Sequence, residues 1–85
     1  MTKRYKLIKR LLSRPKDFRY IEVTNILVHL GYKELKSGKT AGSRKAFINE
    51  KSNHVIRLHK PHPKEIMKIY QIDYLIQELK KKELI

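Results

Sequence analysis

The sequence predicts an α+β domain, with helices gathered on one face of a three-stranded antiparallel sheet. Three observations carry that expectation. Apolar residues recur at helical spacing before residue 31 and again after residue 69. Between those stretches, short runs alternate in character and are joined by polar turns. At 85 residues the chain has room for one modest core, so both kinds of segment must share it.

The first helix is expected over residues 2–13. Leu7, Ile8, Leu11 and Leu12 form a one-sided stripe with Tyr5 a turn earlier, and Lys3, Lys6, Lys9 and Arg10 take the other side. Pro15 ends it by pushing the residue before it out of the helical region. The second helix spans 20–30. Its stripe is Ile21, Val23, Ile26, Leu27 and Leu30, and Gly31 is placed to be a left-handed C-cap. Arg19 occupies the usual capping position before Glu22, so Asp17 is the alternative N-cap. His29, near the helix end, reads as structural or surface.

A first strand is expected over 32–36, a second over Arg44–Asn49 and a third over His54–His59, with residues 50–53 as the turn. Alternation puts Ala46 and Ile48 on one face of the second run, and Lys45, Phe47 and Asn49 on the other. Ile48, Ile56 and Leu58 are the expected core face, with Arg57 and His59 opposite; one residue of slip would invert this. The last helix begins near Ile69 and buries Ile72, Leu75, Ile76 and Leu79. Asp73 in its first turn and Lys80 to Lys82 in its last suit the macrodipole.

Charge narrows the function. Lys and Arg number 21 against 8 Asp and Glu, a formal net of +13, which favours a polyanionic partner, nucleic acid first. An acidic protein partner is compatible with that reading. The N-terminal residues mix apolar positions with Lys and Arg, so neither a signal peptide nor a membrane span is expected, and the cytoplasm is the default. With no cysteine, disulfides and thiolate metal sites are excluded.

Chemistry concentrates in residues 38–63. Gly38-Lys39-Thr40 lacks the upstream glycine and strand of a phosphate-binding loop. His59 and His62, with His54 nearby, lack neighbouring carboxylate or thiol, and prolines at 61 and 63 hold them off helical geometry, so no metal is expected. Cleavage of an RNA phosphodiester needs a base, an acid and positive charge on the phosphorane. Imidazoles supply the first two and Arg or Lys the third. Arg44, Lys45, Arg57, His59, Lys60 and His62 contain all those group types. Composition cannot separate such a site from an RNA-binding surface.

The run Gly38-Lys39-Thr40-Ala41-Gly42-Ser43-Arg44, then Ile56-Arg57-Leu58-His59-Lys60-Pro61-His62-Pro63, then Tyr70-Gln71-Ile72, resembles the HicA family. These are small toxins of bacterial toxin–antitoxin pairs, ribonucleases acting on mRNA through a double-stranded-RNA-binding-like fold. The resemblance covers residues 20–85 of a single domain, 1–85, and leaves residues 1–14 as an N-terminal helical extension. It implies a metal-independent endoribonuclease without a cofactor, a HicB-type antitoxin as partner, and a chain that is monomeric alone or heteromeric with that antitoxin. The family motif is Gly-Ser-His, and here Arg44 replaces its catalytic histidine. A guanidinium stays protonated and cannot act as a base. By resemblance His62 matches a second family histidine, and His59 is added from its place at the strand end. The implied catalytic set is His62, His59 and Arg44, with Lys39, Ser43, Arg44, Lys45, Arg57 and Lys60 on RNA. The alternative is a non-catalytic RNA-binding module of the same fold.

Overall fold

The computed structural model describes residues 3–35, 44–61 and 64–85. Its elements run α1 (Lys3–Leu12), α2 (Tyr20–His29), β1 (Tyr32–Leu35), β2 (Arg44–Asn49), β3 (His54–His59) and α3 (Ile69–Lys81). The strands form an antiparallel meander in the order β1-β2-β3. The expected α+β arrangement is therefore present. Among the described residues no helix is long and apolar enough to cross a membrane.

Register decides which face is core. Phe47 pairs with Ile56, Lys45 with Leu58, and Asn49 with both His54 and Tyr32. Directly paired residues share a face, and on this one Tyr32, Phe47, Ile56 and Leu58 are buried. Ile48 was expected there but pairs with Val55 and Lys33 on the opposite face. Phe47 is the core residue of β2. The larger aromatic hides more apolar area, so burial selects it over Ile48.

Helices α2 and α3 pack on β1 and β3, and α1 packs on both helices. Leu11, Val23, Ile26, Leu27, Ile72, Leu75 and Leu79 enter the core as their stripes require. Ile21 does not, at 56% exposure, because Tyr20 fills the first turn of α2 instead. Leu12 is exposed too, and Arg10 leaves the solvent face to lie 5.1 Å over the Phe18 ring.

Phe18 and Met67, fully buried, sit in connections that carry no periodic signal. An isolated antiparallel bridge, Arg19 to Ile66, joins those connections. Around it the Met67 N–H donates to the Phe18 carbonyl (2.7 Å) and the Tyr20 N–H to that of Glu65 (2.9 Å). This short clasp ties the start of α2 to the approach into α3.

Helix ends also differ from expectation. Asp17 does not cap α2; it accepts from Arg10 at 3.2 Å. Glu22 instead takes the Arg19 N–H (2.9 Å), the half of a capping box that needs no acceptor on arginine. Gly31, at φ +96°, closes α2 as expected. Asp73 lies beyond the first turn of α3, where it takes two hydrogen bonds from Arg14 (2.6 and 2.9 Å). That pairing holds the Asp73 carboxyl below its usual range.

Candidate nucleic-acid interface

In a strand, alternate side chains leave on opposite faces, and this divides the cations expected on RNA. Arg44 stands directly opposite His59, and Ala46 opposite Arg57. Arg44, Arg57 and His59 therefore share the sheet face turned away from the helices, and all three are exposed. Lys45 points to the helix side, 3.8 Å from the Glu34 carboxylate. Lys60 goes the same way, 3.6 Å from Glu65 and 5.7 Å from the Tyr20 ring centroid. Lys39, Ser43 and His62 lie outside the described residues.

The outward set, with Lys45 and Leu58 reaching it from the helix side, lines an open groove of ≈ 920 Å³. Leu35 and Ala46 form its floor, and α3 walls it with Tyr70 and Tyr74. No carboxylate lines it among the described residues. The tyrosines are one helical turn apart, the spacing that places two side chains on one flank. Sequence reading missed them as site residues, although this i,i+4 pair just after the Pro-His corner was visible.

Gln71 positions the wall. Its amide oxygen accepts the His59 N–H (2.7 Å) and its amide nitrogen donates to the His59 carbonyl (3.1 Å). The Arg57 N–H donates to the Tyr74 hydroxyl (3.3 Å). A free strand edge is thus paired by side chains of α3, which fixes the backbone beneath Arg57 and His59.

His54 belongs elsewhere. It is partly buried at the other end of β3, bonded through Nδ1 to the Tyr32 hydroxyl and through Nε2 to Glu78 (2.8 Å). The hydrogen bond from His54 holds the Glu78 carboxyl below its ordinary value, and burial raises that of Tyr32, Glu78 adding to it. Tyr20 is the other unusual group. Its hydroxyl is buried without a hydrogen-bond partner among the described residues, and burial together with Glu34 and Glu65 pushes its pKa up to about 12.

No protein-family model, curated protein or solved structure matches this chain. The reading of the groove therefore stands on its own residues.

Proposed function

We propose that this chain is a HicA-like toxin, an mRNA endoribonuclease on a double-stranded-RNA-binding-like fold, held in check by an acidic HicB-type antitoxin. The observation that supports it most is the pairing of Arg44 with His59 across β2 and β3, beside a groove with no carboxylate among its described lining residues. A guanidinium and an imidazole side by side can hold a phosphodiester and move a proton at its ribose. In this reading Arg44 and Arg57 bind phosphate oxygens, Arg44 stabilises the charge that develops on the phosphorane, and His59 serves as one acid/base group. His62, three residues after His59 in the sequence, supplies the second, as the resemblance implies. The uncompensated positive face is also the one an acidic antitoxin covers, with encounter accelerated by long-range attraction.

A second reading has its own support. Arg44 occupies the position where the resembled family carries histidine, and arginine cannot accept a proton. The chain then binds RNA at the same groove without cutting it.

The test is incubation of purified protein with long single-stranded RNA in EDTA, comparing wild type with His59→Ala and His62→Ala. Loss of cleavage in either variant supports the nuclease and its acid/base assignment. Cleavage surviving in both moves the chemistry to other residues. RNA that is bound yet left intact by wild type favours the second reading. Absence of binding leaves only an acidic protein as partner.

A further inference from the structure

Tyr70 is 63% exposed on the groove wall and has no hydrogen-bond partner among the described residues. An open phenol ring on a helix flank beside cations offers a flat apolar face that a planar, anionic ligand can use. Tyr74 stands a turn further on, its hydroxyl engaged by the Arg57 N–H, so its ring is held in place. The groove thus combines two aromatic rings on one side with Arg44, Arg57 and His59 on the other, and no carboxylate among its described lining residues.

Resting on the RNA-binding reading above, we infer that the groove takes single-stranded rather than duplex RNA, with an unpaired base stacked on Tyr70 and its flanking phosphates on Arg57 and Arg44. The chemistry selects the occupant. A ring face can stack only on a base whose own face is free, and in an A-form duplex every base face is covered by its neighbours. Rings beside a cationic track are how sequence-tolerant single-strand sites are built, since every base offers a π-face. An acidic peptide would satisfy the arginines but leave Tyr70 without a flat partner. The mainly apolar floor of Leu35 and Ala46 likewise suits bases better than carboxylates.

The experiment is fluorescence anisotropy with labelled 2′-O-methyl RNA, which cannot be cleaved at the ribose, as an unstructured single strand and as the matched duplex. Full-length wild type is compared with Tyr70→Phe and Tyr70→Leu. Tyr70 makes no side-chain hydrogen bond to another described residue and is largely exposed, so both variants are expected to keep the fold, which circular dichroism checks. Expected is a single-strand preference in wild type and near-wild-type affinity in Tyr70→Phe. Tyr70→Leu should lose between about five- and a hundred-fold on the single strand and little on the duplex. Equal binding of both forms, a duplex preference, or an unaffected Tyr70→Leu overturns the stacking site while leaving RNA binding intact. Wild type that binds neither form overturns the proposed function as well.

Discussion

Phe47 and Ile48 are neighbours in β2 with opposite surroundings, and their substitution measures the register directly. Phe47→Ala removes a ring from the packed interior and should cost about 3–5 kcal/mol in the denaturant midpoint. Ile48→Ala, on the outward face, should cost about 1 kcal/mol or less. The reverse order would mean the sheet is slipped by one residue. Glu78 carries a second prediction. With the proton of His54 on Nε2, the ring donates to Glu78 and accepts from Tyr32, so all three groups are satisfied. Because the folded pKa of Glu78 lies below its ordinary 4.5, the unfolded chain takes up that proton first. Its stabilisation is complete above the ordinary value and is lost as pH falls through the folded one. Asp73, lowered by Arg14, acts in the same sense. Melting temperature should therefore fall in acid, and Glu78→Gln should flatten the decline as pH drops below the ordinary carboxylate range.

α3 and β3 form one working unit. Gln71, Tyr74 and Glu78, three and four residues apart, meet His59, Arg57 and His54 in turn. From Gln71 to Glu78 the helix rises about 10 Å and from His59 to His54 the strand about 16 Å, so side-chain reach makes up the difference between the two rows. The exposed edge of the sheet is thereby closed by side chains instead of a fourth strand. Gln71→Ala would leave both backbone groups of His59 without partners and should cost about 1–3 kcal/mol. Amide exchange at His59 should accelerate relative to residues of β2. If His59 acts on RNA, the same variant should also lower turnover more than RNA affinity, because it loosens the group that moves the proton while leaving the arginines in place.

Over the entire chain, positive charge exceeds negative by 13, and most carboxylates pair with cations outside the groove, although Glu34 reaches Lys45 of its lining. Asp17 and Glu22 face Arg10, Asp73 faces Arg14, Glu50 Lys33, Glu34 Lys45, Glu65 Lys60, and Glu78 both His54 and Lys81. Exposed pairs of this kind add little stability. Their consequence is the field: among the described residues none of these carboxylates pairs with Arg44 or Arg57, which leaves that end of the outward sheet face positive. RNA affinity should fall steeply with salt, and Arg57→Gln should reduce the slope of log affinity against log salt by about 0.7 for a single strand. A lysine far from the groove, such as Lys9, should leave that slope nearly unchanged when replaced by glutamine. Titrations at several salt concentrations decide between the two.

Element identity was legible from the chain alone because periodicity is a local property. Arg44–Asn49 and His54–His59 begin and end where alternation and polar turns place them, and Gly31 stops α2 as its conformational freedom allows. Excess charge and the gathering of cations and histidines at the ends of the hairpin were legible too, with Arg57 and His59 correctly turned from the helices; that Arg44 stands opposite His59 came from the register. Contacts between distant segments were not. Whether Phe47 or Ile48 faces inward depends on which of two equivalent strand faces the helices cover, a choice settled by total buried area. Phe18 and Met67 became core through a bridge between two connections with no repeat to reveal them. Lys45 and Lys60 turned toward Glu34 and Glu65, and Tyr70 and Tyr74 came to flank Arg57, because α3 docks along the edge of β3. Local pattern determines which segments are helix and strand, but a site shared by three segments exists only once the packing that minimises exposed apolar surface has brought them together.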